Sequence, residues 1–117
     1  MKYMLLIYQD ETILDEDGRQ HCYQETGALA YELQARGQFL ATSPLQPTSA
    51  ATSVRIREGK KLVTDGPFAE TREQLGGFIM VDAKDLDQAI GIAARIPGAR
   101  IGTVEIRPVV ELPHLPQ

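Results

Sequence analysis

The chain has 117 residues, a hydrophobic fraction of 43%, a charged fraction of 24% and a net charge of −4. This length allows one domain with a buried core, and the composition is typical of a soluble globular protein. The acidic balance argues against binding to nucleic acid or to an anionic membrane surface. We predict one domain over residues 1–117, with a loosely held proline-rich tail from about residue 110.

The apolar N-terminal run MKYMLLIY ends at Gln9, which makes it too short for a secretory signal. No apolar run approaches the roughly 18–20 residues that crossing a bilayer requires. The single cysteine, Cys22, cannot form an internal disulfide, as suits a protein in a reducing compartment. We therefore predict a cytoplasmic protein that does not enter the membrane.

The first part of the chain predicts a strand, a loop, a helix and a second strand. Residues 2–8 are apolar on both faces, as in a central strand covered on two sides. Residues 9–21 are acidic and turn-rich, which predicts a surface loop. Residues 23–36 show helical spacing and are followed by Gly37, where a helix-ending glycine belongs. Residues 39–45 predict a short strand.

The middle of the chain predicts a hairpin followed by a second central strand. Residues 53–57 and 61–64 alternate around the turn Glu58-Gly59-Lys60, which is a hairpin pattern. Residues 78–81 form another continuous apolar run. The glycine pair at 76–77 before it predicts a bulge or a close approach of two backbones.

The last part predicts a helix and an edge strand. Asp85 is placed to cap a helix over residues 86–95, which Pro97-Gly98 ends. We predict that four residues of this helix face inward: Leu86, Ala89, Ile90 and Ala93. Residues 103–109 alternate as an edge strand does.

This order of elements predicts an α+β fold of the ferredoxin-like, split β-α-β type. It has an extra hairpin, two helices on one face of an antiparallel sheet, and the first and penultimate strands at the centre. Two helices cover only one face, so the other face would expose a large apolar patch. We predict that a homodimer, packed sheet to sheet, covers it. The alternative is that the hairpin folds over this face within one chain.

The segment DGPFAETREQLGGF, residues 65–78, is the candidate site. One interpretation of Asp65-Gly66-Pro67 is a turn, because an aspartate can accept backbone N–H groups and glycine permits positive φ. The other is that Asp65 lies on the wall of a dimer cleft and acts as a general base or ligand contact.

The charges that follow, Glu70, Arg72 and Glu73, have two interpretations as well. They form either a solvated surface cluster or a polar pocket in which Arg72 binds an anionic group and a carboxylate moves a proton. The predicted catalytic residues are Asp65 and Glu73, and the predicted ligand contacts are Glu70, Arg72, Tyr8 and Phe68. We predict no cofactor and no metal, because the carboxylate spacing matches no metal-ligand motif.

Four stretches carry a resemblance to a known family: MKYMLLIY at 1–8, LQP at 45–47, LVTDGPFAETREQLGGF at 62–78 and DLDQAIGIAARIPGARIGTVEIRPV at 85–109. Together they resemble the YCII-related family in its DGPF-domain branch. The resemblance implies a ferredoxin-like fold that dimerises into an α+β barrel, in agreement with the strand pattern.

The resemblance implies less about function. One branch of the family acts as a dehydrochlorinase on a chlorinated hydroquinone, with a histidine and an aspartate proposed as the catalytic pair. In that branch the histidine lies near the start of the first helix, roughly ten residues before the glycine that ends it. Its position falls here on Thr26 or Gly27, neither of which is an acid or a base, and the role is not carried over to His21.

Genes of the DGPF branch often lie beside genes for extracytoplasmic-function sigma factors, which implies a regulatory setting. The sequence therefore predicts a protein that handles a small molecule. One hypothesis is a cofactor-independent acid–base enzyme of the lyase or isomerase type. A second hypothesis is a non-catalytic ligand-binding or regulatory dimer. A third is a purely structural partner-binding domain.

Overall fold

The computed structural model describes residues 1–116. In chain order its elements are β1 (Lys2–Gln9), α1 (Glu16–Ala35), β2 (Phe39–Pro44), a short 3₁₀ turn (Thr48–Ala50), β3 (Thr52–Arg57), β4 (Lys60–Asp65), β5 (Gln74–Asp82), α2 (Leu86–Ala93), α3 (Gly98–Ile101) and β6 (Thr103–Pro108). Four strands form an antiparallel sheet in the order β2-β5-β1-β6. This is the predicted ferredoxin-like fold, with β1 and β5 at the centre.

The core lies between the helices and one face of this sheet. Successive side chains of a strand point to opposite faces, so alternate residues of β1 and β5 enter the core. Its larger buried side chains are Tyr3, Leu5, Ile7, Ile79 and Val81 from the strands, Leu29 and Leu33 from α1, and Ile92 and Ile96 from α2 and the turn after it. Burial of each large aliphatic side chain contributes about 1.5–3 kcal/mol relative to exposure, so this layer holds the helices on the sheet.

Helix α1 begins at Glu16 rather than at Tyr23, so the prediction of a loop through residue 21 is wrong for residues 16–21. Asp15 is the N-cap, and its carboxylate accepts the N–H of Gly18 at 2.8 Å. Glu16 and Asp17 then occupy the first turn, where acidic residues are favoured by the helix dipole. The acidic run is therefore the start of a helix, and it places His21 on the exposed surface of α1.

The other end of α1 is as predicted. Gly37 has φ = 73°, a conformation that glycine adopts without steric cost. Its N–H donates to the carbonyl of Gln34, and the N–H of Gln38 donates to the carbonyl of Leu33. These two hydrogen bonds form a Schellman motif, which satisfies the last carbonyls of the helix.

Helix α2 keeps its predicted cap but turns a different face inward. Asp85 accepts the N–H of Gln88 at 2.9 Å, as a capping aspartate does. The buried residues are Ala89, Ile92 and Ala93. Leu86 and Ile90 are about half exposed, so the prediction that they face inward is wrong. Ile92 takes the inward position with Ala89 and Ala93, so the buried stripe of the helix is rotated from the predicted one.

Strands β3 and β4 form a separate two-stranded hairpin. Glu58 and Gly59 have φ values of 52° and 74°, as in the type I′ turn that favours tight hairpins. The strands pair with each other and pack on no other element over an extended surface. The alternative in which the hairpin covers the second face of the sheet within one chain is therefore wrong.

The second face of the sheet carries the side chains that point away from the helices. Its apolar members are Met4, Leu6, Tyr8, Phe78 and Met80, all partly exposed; we call this surface the open face. After β6 the chain runs beside it: the N–H of Val109 donates to the carbonyl of Lys2 at 2.9 Å, and Lys2 forms an exposed ion pair with Glu111 at 3.6 Å. Among the described residues, no helix combines the length and the apolar character needed to cross a bilayer.

Candidate functional site

The DGPF segment begins with a turn that leads from the hairpin towards β5. Asp65 is the last residue of β4, pairs with Thr52 and has an exposed side chain. Gly66 has φ = 100°, and its N–H donates to the carbonyl of Ala51 at 2.7 Å. The hydroxyl of Ser53 donates to the carbonyl of Gly66 at 2.8 Å. The positive φ and these two bonds are the features of a turn, as the first interpretation of this segment expects.

The predicted site residues fall into two groups in the structure. Glu70 and Arg72 line one polar cavity. The other four, Asp65, Glu73, Tyr8 and Phe68, do not line it. Glu73 accepts the hydroxyl of Thr103 at 2.8 Å, Phe68 is largely exposed, and Tyr8 lies on the open face. Glu70 and Arg72 therefore share one cavity, whose lining includes neither Asp65 nor Glu73.

Three adjoining cavities form a groove between the N-terminal half of α1 and the neighbouring ends of β1, β2 and β5. The inner chamber has a volume of about 220 Å³, the middle chamber about 120 Å³ and the outer chamber about 290 Å³. Four residues line both the inner and the middle chamber: Gln9, Cys22, Tyr23 and Gly76. Asp10 and Glu11 line both the middle and the outer chamber. Together the chambers reach the size of small-molecule sites, which is roughly 300–1,000 Å³.

The inner chamber is mainly apolar. Ile7 and Ile96 contribute its hydrophobic walls, and α1 contributes Thr26 and Gly27. These last two are the positions to which the family resemblance assigns the histidine of the YCII branch. The inner chamber therefore lies where the resemblance places that histidine. In this chain the two positions offer a threonine hydroxyl and a glycine without a side chain.

The glycine pair shapes the junction between the inner and middle chambers. In the ladder between β1 and β5, Ile7 pairs with Gly77 and Tyr8 pairs with Leu75, so Gly76 is bulged out. A Cβ on Gly77 would lie 3.0 Å from the carbonyl oxygen of Ser43, too close for any larger residue without a shift of β2. The predicted bulge and the predicted close approach are both confirmed.

Gln9 lies at this junction and has an unusual environment. Its Oε1 atom is buried and has no hydrogen-bond partner within the described part of the chain. Leaving a buried acceptor unpaired costs about 1–3 kcal/mol, so such groups call for an external partner. The atom is closed to solvent, so a molecule in the groove pairs with it only after the Gln9 amide rotates.

The outer chamber is polar and carries both signs of charge. Asp10 accepts the hydroxyl of Thr12 at 2.7 Å and its N–H at 2.9 Å. These two bonds, and then the guanidinium of Arg72, lower the pKa of the Asp10 carboxyl. The Nε of Arg72 lies 3.7 Å from Asp10, but its side chain is almost fully exposed, so the pair is weak. Asp10 is therefore an ionised acceptor at neutral pH and a poor proton acceptor in catalysis.

Glu11 fixes the rim of the outer chamber. Its two carboxylate oxygens accept the N–H of Thr48 at 2.8 Å and the Thr48 hydroxyl at 2.5 Å. This contact joins the loop before α1 to the turn after β2. Among residues 1–116, no three His, Cys, Asp or Glu side chains are grouped as metal ligands would be.

Most residues of the groove were missed by the sequence interpretation. Cys22 and Arg19 lie in or beside the stretch read as a loop, and the capping position of Asp15 is the signal that could have corrected this. The inner chamber offers no comparable signal. Its walls come from β1, α1, β2, β5 and the turn before α3, and no local pattern brings such distant segments together.

Comparison with known proteins agrees with the sequence resemblance. The family described as the YCII-related domain matches residues 1–113. The chain is also similar to an uncharacterized protein of Rhizobium meliloti (strain 1021), with 35% identity over 116 residues, 93% of this chain and 92% of that protein. Both matches span nearly the whole ferredoxin-like chain, and on this basis the protein belongs to the YCII-related family.

Proposed function

We propose that this protein binds a small molecule in the groove beside α1. The observation that carries the proposal is the set of adjoining cavities beside α1, with Gln9 lining both the inner and the middle chamber. An apolar chamber with a few well-placed polar groups is the usual design of a small-molecule site. The apolar part of the ligand occupies the inner chamber, and its donor group pairs with Gln9.

The charges around the outer chamber restrict the chemical class of the ligand. Asp10, Glu11 and Glu70 surround the outer chamber, where Arg72 is the cation beside them. Three carboxylates against one exposed guanidinium favour a neutral or positively charged polar group over an anion. The ligand is therefore an amphipathic molecule with an apolar body and hydrogen-bond donors.

Binding without turnover is the better-supported form of this function. The described residues that line the inner chamber include no carboxylate and no imidazole, and the pKa of Asp10 is lowered by its hydrogen bonds to Thr12. The acid–base enzyme of the lyase or isomerase type remains the second candidate, because Glu70 is an exposed carboxylate at the outer chamber. In that mechanism Asp65 and Glu73 would be reached only by a substrate that extends beyond the groove.

We also propose that the protein is a homodimer. Its accessible surface is 8217 Å², whereas a compact monomer of 12.9 kDa exposes about 6,300 Å². The excess is on the order of 1,900 Å², which is what one partner contributes to a large permanent interface. The apolar open face supplies a suitable surface, so a second copy packs there sheet to sheet. A regulatory role would use the same dimer and the same groove.

The groove is tested with N-phenyl-1-naphthylamine, a neutral apolar dye that carries one N–H donor. We expect wild-type protein to bind it and to enhance its fluorescence. Gly27→Leu should abolish this binding, because Gly27 lines the inner chamber and has open space where a side chain would begin. Gly91→Leu is the matched control, since Gly91 is a helical glycine with equally open surroundings, away from the groove.

Both substitutions should also raise the free energy of unfolding by up to about 1 kcal/mol, because each replaces a helical glycine by a better helix former. If Gly27→Leu loses dye binding while Gly91→Leu keeps it, unfolding does not explain the loss. Equal dye binding by the wild type and by both variants would contradict the groove as the site.

A further inference from the structure

The hairpin of β3 and β4 has an apolar face without a cover in its own chain. Its register pairs Val54 directly with Val63, so that Val54, Val63 and Ile56 share one face, on which Lys61 lies opposite Ile56. Their exposed fractions are 62%, 57% and 60%, respectively. A two-stranded hairpin alone is at best marginally stable in water, and a third element is normally needed to hold it. This hairpin therefore needs a packing partner from outside the chain.

The charge of the hairpin differs from that of the rest of the molecule. Residues 52–65 hold four basic side chains, Arg55, Arg57, Lys60 and Lys61, against Glu58 and Asp65. The segment thus carries +2 in a chain whose net charge is −4, and the remainder carries −6. A basic hairpin on an acidic body is complementary to a second copy of the same body.

The shape of the chain agrees with a missing partner. The radius of gyration is 15.9 Å, against about 13 Å for a compact domain of this length. The principal extents are 46, 42 and 20 Å, so the molecule is flat and spread rather than round. A flat chain with a projecting hairpin is the form of a protomer that reaches across an interface.

We propose that this hairpin is an arm that packs on a second copy of the chain. Its apolar face contacts the partner, and Lys61 on the same face lies against the acidic body of that partner. Arg55, Arg57 and Lys60 lie on the opposite face of the hairpin, where their charge adds to the positive potential that draws the acidic partner in. In a two-fold dimer each chain both gives and receives an arm, which covers both hairpins at once. This rests on the homodimer proposed above and adds to it a second contact, separate from the open face.

A nucleic acid is a poorer occupant for the arm. Phosphate contacts depend on cationic surface, and the −6 charge of the body beside the arm repels a polyanion. Exposed valine and isoleucine side chains also gain little from a phosphate backbone, whereas they are stabilised by burial against protein.

Sedimentation velocity on the full chain tests the arm. The arm variant combines Val54→Ser, Ile56→Ser and Val63→Ser, and the matched control combines Tyr31→Ser, Leu86→Ser and Ile90→Ser, three exposed apolar side chains on the helices. We expect the arm variant to raise the dimer dissociation constant by about a hundredfold or more, given the apolar area it removes from both arms. The control should dimerise as the wild type does.

Each possible result has a defined meaning. A monomeric wild type would overturn both the arm and the homodimer. An arm variant that dimerises normally, while Leu6→Asp on the open face gives monomers, would overturn the arm alone. Specific binding of duplex DNA that is lost in Arg55→Glu with the dimer intact would also overturn it.

Hydrogen exchange on the wild type keeps the test valid if the arm variant fails to fold. Amides of β3 and β4 should exchange more slowly at high protein concentration than at low, because a second copy covers them. Fast exchange of these amides at all concentrations, with a protected core, would overturn the arm.

Discussion

The two faces of the four-stranded sheet are built from the same strands and are similarly apolar, but the helices cover only one of them. Leu5 points towards the helices and is fully buried, whereas its neighbour Leu6 points to the open face and is partly exposed. Alternation along a strand determines which residues share a face. It does not determine what covers that face, and here the helices of the chain suffice for one side only.

The largest effect that tests this difference comes from truncating these two neighbours. Leu5→Ala should lower the free energy of unfolding by about 2–5 kcal/mol, because it leaves a cavity in the helix-covered core. This loss should not depend on protein concentration. Leu6→Ala should act mainly through the dimer, so its destabilisation should shrink as the protein is diluted.

Chemical denaturation at a low and a high protein concentration measures both variants. If Leu6→Ala is as costly as Leu5→Ala at every concentration, a cover within the chain must exist for the open face. If Leu6→Ala is harmless at every concentration, no second copy covers it.

A smaller effect separates the two helices of the covered face. Asp15 and Asp85 cap α1 and α2 through one backbone N–H each. Replacing either by alanine should cost about 1 kcal/mol of stability. Only Asp15→Ala should also weaken binding of N-phenyl-1-naphthylamine, because the turns that follow it carry Arg19 and Cys22 into the groove.

Thermal unfolding and fluorescence titration of the two cap variants check this prediction. Asp85→Ala is the matched control, since it loses the same type of bond on the other helix. Equal weakening of dye binding by both variants would mean that the groove responds to overall stability and not to the local order of α1.

The smallest expected effect concerns an ion pair that joins α1 to α3. Both carboxylate oxygens of Glu25 accept from the guanidinium of Arg100 at 2.9 Å. The bonds to Arg100 lower the pKa of Glu25. A carboxyl whose folded-state pKa is lowered adds stability above its unfolded-state pKa and loses it as the pH falls through the folded-state value.

Glu25→Gln should therefore lower the melting temperature slightly at neutral pH. The decrease should be smaller at acidic pH, where the Glu25 carboxyl of the wild type is already protonated. The exposed position of the pair keeps this effect small. Melting curves from neutral to acidic pH measure it, with Glu70→Gln as an exposed control. A constant difference between wild type and Glu25→Gln across the range would show that the charge of Glu25 is not involved.

Local patterns predicted much of the fold because their causes are local. The cap at Asp85, the positive φ at Gly37 and the hairpin turn at Gly59 each follow from the chemistry of a few adjacent residues. The same logic failed at the start of α1. There, acidic residues and Gly18 resemble a loop, although Asp15 stands where a capping residue belongs, and the bond from Gly18 N–H to Asp15 shows the helix cap.

The candidate site was predictable only in part. Charges at Glu70 and Arg72 marked a polar cavity that the structure contains. Gln9 gave no signal, because an amide at a strand end is ordinary until its oxygen is buried without a partner. Asp65 gave a strong signal, but a turn and a catalytic aspartate share the same local sequence.

The family, the order of the elements and the two central strands can be read from the amino-acid sequence, because motifs, strand alternation, turns and caps involve near neighbours. The position of the groove and the identity of the surfaces that the helices leave open emerge only when the chain is packed. The groove forms only where five distant segments converge. The open face and the hairpin are recognised by the absence of a helix packed on them within residues 1–116. Such properties belong to the packed chain as a whole and are not carried by any one stretch of it.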